Sequence, residues 1–209
     1  MYSNNNSLEI SNLTCERGYK ELFNDISLKV DCGEIVHIRG ENGSGKSTLI
    51  NAICGNFQFT IGDIRWNGKD IRSDFSDYVA NIAYLGHKNG LKELLTPREN
   101  LEFFMILNGI DGNLETEEAI SILNITAFLD TPIYQLSAGQ KQRIALARIL
   151  ISNVPVWLLD EPGASLDENG IGALETMIKN HSISHGLVIY TSHQYLDFGD
   201  NIPKFVELS

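Results

Sequence analysis

The order of apolar and polar positions predicts a chain that alternates between short strands and helices. Alternating or continuous apolar runs typical of strands occupy residues 8–13, 26–30, 35–38, 82–85, 155–160, 187–191 and 204–208. Helical patterns follow at residues 48–54, 101–107, 115–124, 138–152 and 167–179. Thr96 and Glu99 have capping-box spacing before the second of these helices, and Asn67-Gly68 between alternating apolar positions predicts a hairpin.

The distribution of these elements indicates one α/β domain over residues 1–209. The continuous apolar run 155–160 is typical of a strand buried on both faces in a parallel sheet, whereas the N-terminal hairpin favours antiparallel strands. We expect a core with an antiparallel β subdomain at about residues 1–87 and 136–209, and a helical insertion at about residues 88–135.

Composition excludes several classes of protein. With 43% hydrophobic and 21% charged residues, the 209-residue chain has the composition of a globular domain. A net charge of −11 disfavours broad electrostatic attachment to nucleic acid or anionic lipid. The three cysteines lack CxxC spacing, which favours reduced thiols in a cytosolic compartment. Because no apolar run is long enough to cross a bilayer and no signal peptide is evident, we expect a partner to supply any membrane segment.

The segment between the strand at 35–38 and the helix at 48–54 has the spacing of a phosphate-binding loop, GxxxxGK[ST]. Its glycines let backbone N–H groups and a helix N-terminus approach phosphate oxygens. Lys46 would neutralise the β and γ phosphates, and Ser47 would offer its hydroxyl to Mg²⁺. The expected nucleotide-binding residues are Gly40, Glu41, Asn42, Gly43, Ser44, Gly45, Lys46, Ser47 and Thr48. A glycine-rich turn without a ligand is the alternative.

Two carboxylates end the apolar strand at 155–160. Asp160 and Glu161 would lie at the carboxyl edge of a sheet, where nucleotides bind in such folds. We expect Asp160 to hold Mg²⁺ through water and Glu161 to accept a proton from, or orient, the water that attacks the γ-phosphate.

The position of a further motif along the chain indicates a resemblance to a known family. Leu136-Ser137-Ala138-Gly139-Gln140 lies between the phosphate loop and the Asp-Glu strand, and it resembles the LSGGQ signature of ABC-transporter ATPases. The resemblance implies that Ser137, Gly139 and Gln140 complete the ATP site of a second copy, so that catalysis requires a dimer. It also places Asp167 at the dimer seam, although the same residue could simply cap the next helix.

The resemblance assigns further residues, some of which depart from the family pattern. His193 matches the family's switch histidine, which reaches the γ-phosphate and holds Glu161 or the water in place. His87 stands where most members have a glutamine that senses the γ-phosphate near Mg²⁺. The aromatic residue that stacks on adenine falls near Arg17, with Tyr19 two residues on, and either side chain suits a π surface.

Several segments together narrow the resemblance to the ATP-binding subunits of bacterial cytochrome c biogenesis transporters, the haem exporter ATPases. The segments are residues 84–87, 90–92, 95–96, 99–101, 136–140, 157–162 and 193–194. Gly163-Ala164 departs from the bulkier pair expected there.

The resemblance implies a peripheral subunit on the cytoplasmic face of the bacterial inner membrane that uses ATP to drive haem export or release of a haem-loaded chaperone. A polytopic membrane subunit would dock on the helical insertion, where Leu94 or Phe104 would either form the groove or pack in the core. Haem is not expected to bind this chain, which lacks a CxxCH motif. The alternatives are the ATPase of another ABC importer or exporter, a non-transport ABC ATPase such as an iron–sulfur assembly factor, and a module that only binds nucleotide.

Overall fold

The computed structural model describes residues 2–3, 5–17, 20–57, 59–111 and 114–208, with Arg17, Lys20 and residues 114–115 described only as backbone. The strands are β1 Ser7–Arg17, β2 Lys20–Asp31, β3 Ile35–Gly40, β4 Ile61–Trp66, β5 Lys69–Asp70, β6 Ile82–Leu85, β7 Val156–Asp160, β8 Leu187–Thr191 and β9 Lys204–Leu208. The helices are α1 Lys46–Ile53, α2 Phe75–Ala80, α3 Pro97–Asn108, α4 Leu114–Ile122, α5 Ala138–Ser152 and α6 Glu168–Ile183.

A parallel sheet of five strands forms the centre of the fold. Its order is β6-β7-β8-β3-β9, and every residue of β7 and β8 is buried, as their continuous apolar runs predict. Parallel strands end at a common edge, where Asp160 of β7 pairs with Thr191 of β8 and Ile38 of β3 pairs with the same threonine. The loops after β3, β7 and β8 therefore meet at one edge of the sheet.

The N-terminal strands form an antiparallel sheet in the order β2-β1-β4-β5. β1 and β2 are longer than predicted, because register shifts break the alternation of β1, where Asn12 has a φ of 50°. The hairpin between β4 and β5 is confirmed, and Asn67 and Gly68 both take the positive φ that its turn requires. This sheet and α1 share a core with one face of the parallel sheet.

Helices fill the segment between β6 and α5. The capping box predicted at Thr96 is present, with the Thr96 hydroxyl accepting from the N–H of Glu99 and the Glu99 carboxylate accepting from the N–H of Thr96. α3 and α4 pack against α5, and short 3-10 helices lie at Thr126–Phe128 and Ile133–Gln135. The predicted α/β class, a mixed core with an antiparallel subdomain and a helical part, is confirmed.

Helix α2 was missing from the prediction, because six residues are too few to show a helical period. Its start is fixed by the side chain of Asp74, which accepts from the N–H of Asp77. Within the described residues, no helix has the length and apolar character needed to cross a bilayer.

Candidate nucleotide-binding site

The predicted phosphate-binding loop lies between β3 and α1, at the edge of the sheet where the strands end. Gly43 and Gly45 have φ values of 87° and 96°, which glycine adopts without strain. Gly45 is the N-cap residue and makes no side-chain cap, so the first N–H groups of α1 are available to an anion. The Lys46 Nζ donates to the carbonyl oxygens of Gly40 and Glu41, both at 2.8 Å.

Two details of the loop fit a phosphate group. The hydroxyl of Ser44 is buried and has no hydrogen-bond partner among the described residues, although buried hydroxyls normally have one. A side chain at Gly40 would collide with this hydroxyl and with the backbone oxygen of Leu208. The loop thus brings uncapped N–H groups, the Ser44 hydroxyl and a lysine together, and it packs so closely at Gly40 that only glycine fits there.

The Asp-Glu strand lies beside this loop. The Ser47 hydroxyl donates to Asp160 Oδ1 at 3.0 Å, and the Thr191 hydroxyl donates to the same oxygen at 2.8 Å. Asp160 is only 5% exposed. Its carboxylate and the Ser47 hydroxyl are oxygen ligands of the kind that Mg²⁺ takes together with phosphate oxygens and water. Within the described ranges, no cluster of three or more His, Cys, Asp or Glu could hold a metal ion by itself.

Glu161 and His193 meet at the same edge. Their Oε1 and Nε2 atoms are 3.5 Å apart, with the carboxylate half-buried and the imidazole exposed. Glu161 has a φ of 51°, which is uncommon for a residue with a long side chain, and its N–H donates to the Thr191 hydroxyl at 2.9 Å. Thr191 therefore holds both Asp160 and Glu161 in place. The sequence prediction missed Thr191, although a polar residue at the end of a neighbouring parallel strand was the available signal.

The signature segment begins helix α5 as a capping box. The Ser137 hydroxyl accepts from the N–H of Gln140 at 3.2 Å, and the Gln140 side chain accepts from the N–H of Ser137 at 2.8 Å. A side chain at Gly139 would lie 2.5 Å from the carbonyl oxygen of Ser165. The glycine is therefore required by the close approach of the loop that precedes α6.

Two hydrogen-bonded pairs tie α5 to that loop. The Gln142 side chain donates to the carbonyl of Pro162 at 2.9 Å, and the buried Arg143 donates to the carboxylate of Asp167. Asp167 also caps α6 by accepting from the N–H of Gly170 at 2.8 Å. The Gly170 N–H and the Arg143 guanidinium lower the pKa of Asp167.

The remaining predicted residues form no described hydrogen bond with this cluster or lie outside the described residues. No hydrogen bond in the described part of the chain joins Ser137, Gly139 or Gln140 to the phosphate loop. His87 follows β6 as an exposed residue, and none of the described hydrogen bonds connects it to Ser47 or Asp160. Tyr19 lies outside the described residues, as does the side chain of Arg17.

Comparison with known proteins agrees with this geometry. A family model described as ABC transporter matches residues 23–164. The cytochrome c biogenesis ATP-binding export protein CcmA of Vibrio cholerae serotype O1 is 40% identical over 199 residues, which cover 94% of this chain and 95% of that relative. CcmA of Saccharophagus degradans is 40% identical over 191 residues, 87% of this chain and 85% of the relative.

Among solved structures, an ABC transporter ATP-binding protein from Pyrococcus furiosus superposes with a TM-score of 0.81 at 25% identity, over 97% of both chains. The matched residues span the phosphate loop, the signature and the Asp-Glu strand. This chain therefore belongs to the ABC transporter ATP-binding family, and within it to the cytochrome c biogenesis ATP-binding export proteins CcmA.

Proposed function

We propose that this chain is the ATP-hydrolysing subunit of a transporter in cytochrome c biogenesis, where hydrolysis drives haem export or release of a haem-loaded chaperone. The observation that carries the proposal is the 40% identity to a cytochrome c biogenesis export protein over 94% of the chain. Membership of the family makes ATP hydrolysis the reaction. The site geometry assigns this chemistry to particular side chains.

Hydrolysis needs a water oriented toward the γ-phosphorus and a base for its proton. Glu161 takes that proton as the water oxygen bonds to phosphorus and the bond to the bridging oxygen of ADP breaks, which yields ADP and phosphate. His193, 3.5 Å from the Glu161 carboxylate, holds that carboxylate toward the water. Lys46 exchanges its two carbonyl partners for phosphate oxygens and offsets their charge.

Ser47 and Asp160 are the residues that would hold Mg²⁺, which when bound neutralises charge on the β and γ phosphates. His87, the third metal-site candidate, is proposed to sense the γ-phosphate from the end of β6. Arg17 or Tyr19 is proposed to stack on adenine. These assignments follow from the family resemblance and the motif positions.

A second copy of the chain is proposed to complete each ATP site. Ser137 and Gly139 form a helix N-terminus that is separate from the chain's own phosphate loop, although an anion site of this kind suits the γ-phosphate. In a two-fold dimer each signature would cover the nucleotide held by the partner's loop. Asp167, at the start of α6, then lies at the seam.

The membrane partner is proposed to dock in a groove of about 510 Å³ between α2, β6, α3 and α5. Its lining includes Val79, Tyr84, Phe104, Ile110 and Arg148. Phe104 packs over the Arg148 guanidinium at 4.7 Å in this groove, whereas the exposed Leu94 does not line it. Gly86 and Lys88, which flank His87, also line the groove, so a helix bound there would lie close to the proposed γ-phosphate sensor. This docking places the chain on the cytoplasmic face of the bacterial inner membrane.

The test is copurification of the tagged chain with its membrane partner, followed by an ATPase assay of the complex. We expect a polytopic cytochrome c biogenesis subunit in the complex and ATP turnover that Lys46→Ala abolishes. Lys179→Ala, at an exposed lysine of α6, is the matched control and should retain turnover. A complex with an unrelated permease would assign the chain to another transporter, and capture of soluble assembly factors without a membrane protein would assign it to the non-transport ABC ATPases.

A further inference from the structure

A buried histidine on β3 contacts the segment that carries His193. His37 is 3% exposed, and its Nε2 lies 3.0 Å from the carbonyl oxygen of Ser192. Ser192 separates the last residue of β8 from His193. The ring of His37 thus touches the backbone immediately before the proposed switch histidine.

The neighbours of the ring determine which nitrogen carries its proton. The Arg39 Nε lies 3.3 Å from His37 Nδ1, and a guanidinium nitrogen can only donate. Nδ1 is therefore the acceptor, so Nε2 carries the hydrogen and donates it to the Ser192 carbonyl. Arg39 is fixed in turn by the ring of Phe205, 3.7 Å from its guanidinium carbon.

Stacking and burial further restrict the ring. His37 stacks on Tyr190 with ring centroids 4.4 Å apart and planes 15° from parallel. Burial, with a smaller contribution from Arg39, lowers the pKa of His37, while the Ser192 carbonyl and Glu207 oppose the change. The groups that face the ring from β3, β8 and β9 are Arg39, Tyr190 and Glu207. Burial and Arg39 favour a neutral imidazole, whereas Glu207 acts in the opposite direction.

The hydrogen bond from His37 lies just past the end of the sheet. The pairing of β3 with β8 ends at Ile38 and Thr191, so the Ser192 carbonyl is beyond the ladder. Ser192 is buried, and a buried carbonyl without a partner is costly. The Ser192 hydroxyl meanwhile accepts from the N–H of Gln194 at 3.0 Å. His37 and this hydroxyl together fix both sides of His193 in the backbone.

We propose that His37 is a positioning residue that fixes the Ser192–His193 peptide and thereby aims the His193 ring at Glu161. The inference rests on the role of His193 in the proposed function. His37 itself touches neither the phosphate loop nor Glu161 among the described contacts. Its loss should therefore slow turnover without weakening nucleotide binding.

The experiment compares His37→Leu and His37→Gln in the full chain bound to its membrane partner. His37→Leu removes the donor, and we expect kcat to fall about tenfold with KM for ATP unchanged. His37→Gln carries an amide nitrogen that can reach the Ser192 carbonyl, so kcat should stay within about twofold of wild type. In a His193→Ala background, His37→Leu should lower kcat by less than about twofold more, because the residue through which it acts is already gone.

A full tenfold loss in the His193→Ala background would overturn the proposal, as would equal kcat values for wild type and His37→Leu. Loss of kcat in both variants would also contradict it if their thermal unfolding matches wild type. If His37→Leu does not fold, His37→Gln is compared with His37→Asn instead. The Asn amide is too short to reach the Ser192 carbonyl, so His37→Asn should have the lower kcat.

An NMR measurement separates failure of this proposal from failure of the proposed function. The His193 ring resonances of the nucleotide-free chain should shift in His37→Leu toward their positions in Glu161→Gln, since the first change moves His193 away from the Glu161 carboxylate and the second removes that carboxylate. Unchanged His193 resonances would contradict the positioning role even if the wild-type complex hydrolyses no ATP. An inactive wild-type complex with the expected shift would contradict only the proposed function.

Discussion

Several side chains at the edge of the parallel sheet already form hydrogen bonds within the protein. Bound ATP and Mg²⁺ would have to replace these bonds. Lys46 donates to two carbonyls of its own loop, and Ser47 donates to Asp160. Nucleotide binding would replace these bonds with bonds to phosphate and metal, so its net gain is smaller than the number of new contacts suggests. Thr191 donates to the same Asp160 oxygen and accepts from the N–H of Glu161, so it positions both residues without being a ligand candidate itself.

The proposed base provides a prediction at this scale. Glu161→Gln should keep ATP binding, because the amide is similar in size, but kcat should fall by at least about a hundredfold since the amide cannot take a proton. The measurements are phosphate release by the complex and the ATP-induced rise in melting temperature. Glu117→Gln, the same change at an exposed position of α4, is the control and should leave kcat unaltered. Undiminished turnover in Glu161→Gln would remove Glu161 from this role.

The Asp167 carboxylate provides a prediction about pH. The Gly170 N–H and Arg143 lower its pKa below the ordinary value of 3.8, so its stabilising contribution is fully present above that value and is lost as pH falls through the lowered pKa. Asp167→Asn can still cap α6 but leaves Arg143 without its anion. The melting temperature of the variant should be below that of wild type at pH 7, and the difference should shrink as pH approaches 3. A difference that is independent of pH would contradict this account.

Among the elements, α5 and the loop before α6 behave as one unit. The Gln142–Pro162 bond, the Arg143–Asp167 bond and the approach of Gly139 to Ser165 connect them within a short span of the chain. Glu161 directly precedes Pro162. A displacement of the signature helix is therefore transmitted to the backbone next to the proposed base.

The close contact between Gly139 and the Ser165 carbonyl can be tested with a matched pair of alanine substitutions. Gly139→Ala places a methyl group against the Ser165 carbonyl, so we expect a loss of about 1 kcal/mol in the free energy of unfolding, together with reduced turnover. Gly172→Ala adds a methyl group on an exposed turn of α6, with no atom of the described residues within 4 Å, and should stabilise the chain by about 0.5–1 kcal/mol. Denaturant unfolding measures both. Equal effects of the two variants would show that Ser165 moves away without cost.

The elements also show what the sequence could predict. Long periodic segments and strands buried on both faces, such as β7 and α5, were predicted within a residue or two, because their apolar patterns persist over their full length. Strand β1 was predicted too short because its register shifts interrupt the alternation. At the site, the motifs identified residues whose spacing is local, whereas Thr191 and His37 act through contacts between strands far apart in sequence and belong to no local motif.

At the scale of the whole molecule, the charge of −11 opposes the proposed dimer. Two such chains repel each other at low ionic strength, and salt screens the repulsion. We expect Glu161→Gln with ATP and Mg²⁺ to elute at twice the 23.3 kDa of the single chain, with dimerisation strengthened by moderate salt. Size-exclusion chromatography with light scattering measures this.

Ser137→Arg, added to Glu161→Gln, is the control for the dimer. The larger side chain blocks the proposed contact between the signature and the partner's nucleotide, while the chain's own phosphate loop is unchanged. The double variant should stay monomeric yet keep the ATP-induced rise in melting temperature. A dimer that persists in this variant would contradict an interface through the signature.

The connection between α5 and the loop before α6 has a genetic consequence. In the proposed dimer, a chain whose signature is displaced also displaces its own Pro162, so one defective chain damages both ATP sites of the pair. If defective and normal copies are made in equal amounts and pair at random, only about a quarter of the pairs contain two normal chains. A Gly139→Ala allele should therefore be dominant over the normal allele for cytochrome c maturation.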